Sequence, residues 1–365
     1  MNICFLVNLT GFGGLEIQTL LRAKDSRERG HLPIVATRRN TRSEQFAKSN
    51  GLSMEYLAGS TILESFKLSK IFDKYEINIC IVPKTNLLPL ALLGRKFSKS
   101  KPKIIFYQQM QSGINKKDIY HNILYKNLDG AIVLTSKMKT MLIETTNINP
   151  DKVFVVPYGV DWEPFQNEKL KREENRKLLG IPNDKFVIGC VGRIEPLKGQ
   201  DTLLVAFAKA KIPNSLLIFA GSVDNQNYLS KLQKIVNDFQ ISEQTLFFEF
   251  TFEVPKLMST LDTFVMPSLS ETFGLVLVEA MATSLPVIAT NSGGVPEIVE
   301  HSVDGLLFEP KDSEELSKLL IHLHQNNEIA KTLGQNALEK VKIKFDYRKN
   351  VNKFFEVCNL IKSNK

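Results

Sequence analysis

The sequence is poor in the residues that would mark a metal centre or a disulfide scaffold. Its 365 residues hold four cysteines and five histidines. Cys4, Cys80, Cys190 and Cys358 are scattered with no C-x-x-C pairing, so they read as reduced, mostly buried thiols of a cytosolic protein. The histidines do not cluster with them. His322 and His324 sit two apart on a predicted helix and face different ways. No Asp-x-Asp occurs either, so the sequence offers neither a transition-metal site nor that carboxylate pair for a divalent ion. Long apolar runs are lacking too, since none approaches the roughly 18 residues that cross a bilayer. The opening MNICFLVNL is apolar but short, without a basic flank or a small-residue cleavage site, and reads as a first strand.

What is present fits a globular chain long enough for two domains, with 43% apolar and 24% charged residues. The net charge of +8 is uneven. Residues 1–160 hold 23 Lys and Arg against 12 Asp and Glu, a balance of +11, and the remainder holds 24 against 27, a balance of −3. The basic part is expected to meet something acidic: anionic lipid headgroups, a phosphorylated glycan or nucleic acid. Solvated surface lysines are the plainer reading.

Short apolar runs alternate with helical patterns along the whole chain. Strands are predicted at Asn2–Val7, Pro33–Thr37, Ile77–Val82, Lys103–Tyr107, Gly130–Leu134 and Lys152–Val156. A second series follows at Phe186–Val191, Ser215–Ala220, Thr245–Phe248, Thr263–Met266, Pro286–Ala289 and Gly305–Phe308. Such alternation implies parallel sheets covered on both faces, and two series imply two doubly wound domains. The predicted division is 1–165, 166–345 and a last helix at 346–365 packing back on the N-terminal domain. Ligands of open parallel sheets sit beyond the carboxyl ends of the strands, so the motifs should gather there.

Three motifs do. GFGGLEIQTLL, residues 11–21, places Gly13 and Gly14 between the first strand and a helix whose N–H groups could face an anion. A tight turn would use the same glycines. ATRRN follows the second strand, where Arg38 and Arg39 could hold a 2′-phosphate of NADP. GCVGRIEPLKGQ, residues 189–200, puts Arg193 at a strand end and Lys198 five residues on, a pair of cations suited to a diphosphate. In SETFGLVLVEAM, residues 270–281, a loop carries Glu271 and a helix starts near Phe273. The first N–H groups of that helix, on Phe273, Gly274 and Leu275, would be free for phosphate or sugar oxygens. Glu279 then lies roughly 7.5 Å along the axis. A carboxylate among apolar neighbours must be hydrogen-bonded or it is costly, and two vicinal ribose hydroxyls would satisfy it.

Gly192-Arg193…Lys198-Gly199 with Glu271-Thr-Phe-Gly…Glu279-Ala resembles the signature of the family 4 retaining glycosyltransferases, also called glycosyltransferase group 1. These have the α/β GT-B fold, two doubly wound Rossmann-like domains with parallel sheets facing across a cleft and C-terminal helices. GFGGLE, PYGVDWEPF and NSGGVPEIVEHSVDGLLFEP resemble other stretches of that family. The resemblance implies that Arg193 and Lys198 hold the donor diphosphate and that Glu279 binds the ribose. It also implies that Glu271, with the backbone at Phe273–Leu275, sits by the transferred sugar, and that Gly13 and Gly14 line the donor. Many relatives carry a cleft histidine after the strand written here KIIFYQQMQSG. This sequence has Gln108 and Gln109 there, and the nearest histidine is His121. The nucleotide base would be held by backbone around 250–254.

The expected activity is retaining transfer of a hexose-type sugar from a nucleotide-diphosphate sugar, such as a UDP-sugar. The acceptor is a glycan or lipid-linked molecule in surface polysaccharide or lipopolysaccharide synthesis. No metal, no other cofactor and no nucleic-acid partner is expected, and the setting is cytoplasmic. Residues 85–103, TNLLPLALLGRKFSKSKPK, read either as an amphipathic segment on an anionic membrane face or as a buried helix with a solvated lysine-rich loop. The rival functions are a nucleotide-sugar 2-epimerase, an NADP-dependent oxidoreductase and a non-catalytic nucleotide-sugar or nucleic-acid binder.

Overall fold

A computed structural model describes residues 1–58, 62–249 and 253–363. The chain divides into two compact units, Met1–Pro157 with Val351–Lys365, and Tyr158–Asn350. Each is built on one all-parallel sheet.

The first sheet comprises β1 (Asn2–Val7), β2 (Leu32–Thr37), β3 (Ser53–Tyr56), β4 (Ile79–Val82), β5 (Lys103–Gln108), β6 (Gly130–Val133) and β7 (Val153–Val155), in the order β3-β2-β1-β4-β5-β6-β7. The second comprises β8 (Phe186–Val191), β9 (Ser215–Ala220), β10 (Thr245–Phe248), β11 (Thr263–Met266), β12 (Val287–Thr290) and β13 (Leu306–Phe308), in the order β10-β9-β8-β11-β12-β13. Helices cover both faces of such sheets, which is why the central strands ICIV and TFVM are buried throughout.

Both orders reverse direction once, between β1 and β4 and between β8 and β11. At that switch the flanking crossovers diverge and leave a crevice beyond the strand ends.

One strand went unread. β3, sequence SMEY, is a partly exposed edge strand with no apolar run to announce it. The stretch at 85–103 is a 3₁₀ turn followed by a helix, Leu88–Phe97, with Pro89 in its first turn, where a missing N–H costs nothing. Leu87, Leu88, Leu90 and Ala91 are buried, so this part of the run belongs to the core, while Phe97 at the helix end is exposed.

The chain ends in helices Ser313–Gln325, Asn327–Lys344 and Tyr347–Ser363. In the last, Val351, Phe354, Cys358 and Ile361 are buried in the first unit. Phe354 meets Tyr107 edge-on at 5.2 Å between ring centroids. Each such side chain contributes about 1.5–3 kcal/mol of burial.

Candidate active site at the switch point of the second sheet

Three loops meet beyond β8 and β11. The first runs Gly192–Gly199 and ends in a 3₁₀ turn, Pro196–Lys198. The second is Pro267–Gly274. The third, Asn291–Gly294, follows β12. Backbone bonds stitch them together: Leu269 N–H donates to Leu197 C=O at 2.9 Å, and Gly294 N–H to Glu271 C=O at 2.8 Å.

Two glycines make this closeness possible. A Cβ on Gly199, at φ +63°, would lie 2.1 Å from the Pro267 carbonyl oxygen. One on Gly293, at φ +60°, would lie 1.9 Å from that of Glu271. No other residue adopts that backbone at so small a separation.

The loops bring Lys198 and Glu271 into contact, Nζ to Oε2, at 2.7 Å. Both line a small depression with Gly192, Gln200, Ser268 and Val276. Arg193 leaves the same loop in another direction. Its exposed guanidinium pairs with Glu195 at 2.8 Å and Asp224 at 3.1 Å.

Gln200 is fully buried beneath the loop. It donates Nε2 to the Arg193 carbonyl at 2.8 Å, while its Oε1 has no partner among the described residues. Gln200, Glu195, Asp224 and the Asn291–Gly294 loop were not singled out from the sequence. Gln200 follows Lys198-Gly199 directly, so its position beside the motif was the one available signal.

The helix of the third motif begins at Leu275, two residues later than expected, with Gly274 as its cap. Phe273 cannot join it, because its ring is buried against Tyr158 (5.3 Å) and Phe345 (5.8 Å). The first intrahelical bond runs from Leu277 N–H to Gly274 C=O at 2.9 Å, so the amides of Leu275 and Val276 precede it.

Glu279 lies one turn beyond Val276, on the same face. Its carboxylate makes no hydrogen bond or ion pair among the described residues, and desolvation pushes its pKa up to about 7. It is nevertheless part-exposed at the surface, so a hydroxyl-bearing ligand can reach it. A desolvated acceptor with no protein donor is a ready site for ligand hydroxyls.

The other sequence-predicted residues belong to the first unit. Glu16 accepts from Gly13 N–H at 2.9 Å at the start of helix Gly14–Glu28. A Cβ on Gly14 would meet open space. Gln108 and Gln109 are buried. Gln108 donates to Met110 C=O at 3.0 Å and Gln109 to Thr19 Oγ1 at 2.8 Å, which commits Gln109 to the adjoining helix, while Gln108 Oε1 has no partner among the described residues. His121 pairs with Asp118 at 2.5 Å, on the helix that Asp118 caps. Of the predicted base-binding stretch, residues 250–252 lie outside the described residues.

Residues 171–340 match the family model described as glycosyl transferases group 1. It is 35% identical over 225 residues to an alpha-monoglucosyldiacylglycerol synthase of Acholeplasma laidlawii, across 60% of this chain and 54% of that protein. It is 28% identical over 230 residues to an Escherichia coli UDP-Gal:alpha-D-GlcNAc-diphosphoundecaprenol alpha-1,3-galactosyltransferase, across 61% of this chain and 58% of that one. The chain thus spans little more than half the length of these relatives. Its fold is that of the Anabaena protein HepE, solved in complex with UDP and glucose, with a TM-score of 0.83 at 21% identity over 98% of this chain and 99% of that one.

Among the described residues, no helix is long and apolar enough to cross a membrane.

Proposed function

We propose that this protein is a retaining glycosyltransferase that moves a hexose-type sugar from a nucleotide-diphosphate sugar to a glycan or lipid-linked acceptor. The reading rests above all on the Lys198–Glu271 pair at the switch point, with Glu279, which no described residue partners, one turn along the neighbouring helix. The names of the relatives, an alpha-monoglucosyldiacylglycerol synthase and a UDP-Gal:alpha-D-GlcNAc-diphosphoundecaprenol alpha-1,3-galactosyltransferase, support the acceptor class.

In this reading the donor's diphosphate displaces part of the local carboxylate partnership and takes Lys198 and Arg193 as its counter-ions. The Leu275 and Val276 amides add donors from the helix start. Glu279 accepts the ribose hydroxyls, and Glu271 orients Lys198 beside the sugar. The acceptor hydroxyl attacks C1 from the face the leaving group departs. The C1–O bond to phosphate breaks, and the acceptor's proton passes to the released phosphate oxygen. Negative charge grows on the diphosphate as it leaves, where fixed cations lower the barrier most. No divalent ion is required in this scheme.

Docking at an anionic membrane face is part of the proposal. Ile114, Ile119, Tyr120 and Ile123 are exposed beside Lys116 and Lys117 in the first unit, an apolar surface edged with positive charge. Vesicles rich in anionic lipid should co-sediment the protein, and equal binding to neutral vesicles would remove this part.

The donor reading is tested by melting temperature across UDP-, GDP- and ADP-sugars, because a ligand bound only to the folded state raises it. One class should stabilise the protein, and the effect should vanish in Lys198→Ala. Incubation with donor alone excludes or reveals an epimerase, which converts donor without an acceptor.

A further inference from the structure

The ATRRN stretch has no part in the donor chemistry, yet it walls a cavity of about 880 Å³ at the carboxyl ends of β1, β2 and β3. Thr10 and Phe12 of the glycine loop form one side, Arg38, Arg39 and Arg42 another, and Tyr56 and Lys67 the rest. Arg38 is braced by a bond from Nη2 to the Ala58 carbonyl at 2.6 Å. Arg39 lies over the Tyr56 ring, 4.4 Å from its centroid. Arg42 is exposed at the start of helix Arg42–Ser49, and no described residue partners it.

None of these arginines pairs with a carboxylate among the described residues. The two acids behind the wall are occupied. Glu44 accepts from Asn40 N–H, the Tyr56 hydroxyl and Lys48, and Glu64 from Ala58 N–H and Lys67. The cavity therefore presents uncompensated guanidinium groups. Their planar donor forks match phosphate oxygens, and stacking on Tyr56 holds one fork in place. The volume far exceeds that of an inorganic anion, so the phosphate must carry a further group. Phe12, Tyr56 and Leu57 offer that group an apolar wall.

We propose that this cavity binds the phosphate or diphosphate of a phosphorylated acceptor, through Arg38, Arg39 and Arg42. The word acceptor rests on the glycosyltransferase reading; the anion site does not.

The test is calorimetric titration of the full chain with inorganic pyrophosphate in an Arg193→Ala/Lys198→Ala background, which silences the donor-side cations. Binding should persist there, weaken with added salt, and fall at least tenfold in Arg39→Gln and in Arg42→Gln. Both variants leave the Arg38–Ala58 brace intact. Unchanged affinity in both overturns the proposal. Competition separates the sources. Displacement of pyrophosphate by geranyl diphosphate supports a lipid-linked acceptor, displacement by glucose 1-phosphate supports a soluble sugar phosphate, and displacement by neither overturns the site. The UDP-induced melting shift of the unmodified chain is read in parallel. Absence of any shift with UDP, GDP or ADP sinks the donor reading alone, and persistence of the shift in Arg42→Gln shows the two sites to be separate.

Discussion

The two halves of the chain are wound in the same order around their first strands, yet they use charge in opposite ways. Beyond β8 and β11 every cation of the site has an acid beside it: Lys198 has Glu271, and Arg193 has Glu195 and Asp224. Beyond β1, β2 and β3 the arginines have a carbonyl, a ring or no partner among the described residues. The difference is one of preorganisation. In the second half the protein supplies its own counter-ions, so the side chains stand in place before any ligand arrives. In the first half the counter-ion has to come from outside. The group 1 family match, confined to residues 171–340, falls on the half whose charges are internally balanced.

The largest effect should come from breaking that balance. Lys198→Ala should lower kcat by roughly 10²–10³, or about 3–4 kcal/mol of transition-state stabilisation, the scale for losing one fixed donor at a developing charge. Glu271→Ala should follow it closely, because the two side chains act as a pair. Melting temperatures should hold within a few degrees. Arg42→Gln in the first half should instead raise KM for the acceptor and leave kcat near its original value. Initial rates at varied donor and acceptor concentrations separate these patterns, and equal loss of kcat in both halves would dissolve the contrast.

Glycines sharpen the comparison next. Gly293→Ala forces a Cβ into the Glu271 carbonyl at a positive φ, so the loop must shift, at a cost of about 3 kcal/mol or more in stability. Gly14→Ala in the first half meets open space, and its effect on folding should stay within about 0.5 kcal/mol. If a ligand approaches that backbone, the alanine should weaken ligand binding without changing the denaturation midpoint. Urea unfolding of both variants, with and without UDP, reads the two outcomes.

How much of this was legible depends on what kind of atom does the work. Side chains in two separate motifs could be expected at one place from the sequence: Lys198 and Glu271 stand 73 residues apart in the chain and meet at 2.7 Å. The strand series was readable because parallel strands buried on both faces are nearly continuous apolar runs. β3 was not, since an edge strand of sequence SMEY carries no such run. Features made by backbone left little trace. The Asn291–Gly294 loop acts through an amide and a missing Cβ, and the displaced helix start at Leu275 follows from tertiary packing of Phe273. The apolar run at 85–97 shows the same limit, because composition cannot tell a buried helix from one lying on a membrane. ATRRN was noticed, but its meaning needed β3 and the helix Ile62–Lys74, which supply Tyr56 and Lys67 to the same cavity.

The effect of pH is the most specific to the second half. Glu279 titrates near 7 in the folded chain, against an ordinary value of 4.5, because burial penalises its charged form. Between those values the folded state keeps a proton that the unfolded state has released. The contribution of Glu279 to stability must therefore fall as pH rises from about 4.5 to 7, and level off above. The shift corresponds to an upper limit of about 3 kcal/mol, and partial exposure reduces this to about 2 kcal/mol. Glu279→Gln removes the ionisable group, so it should flatten that slope and melt higher than the original chain at pH 8. Ligand binding reverses the sign. Ribose hydroxyls donate to the ionised carboxylate, so UDP affinity should rise as pH passes through 7 and lose that rise in Glu279→Gln. A pH-independent UDP affinity in the original chain would mean that Glu279 is not the ribose acceptor, and that its missing partner is a cost the fold bears for another reason.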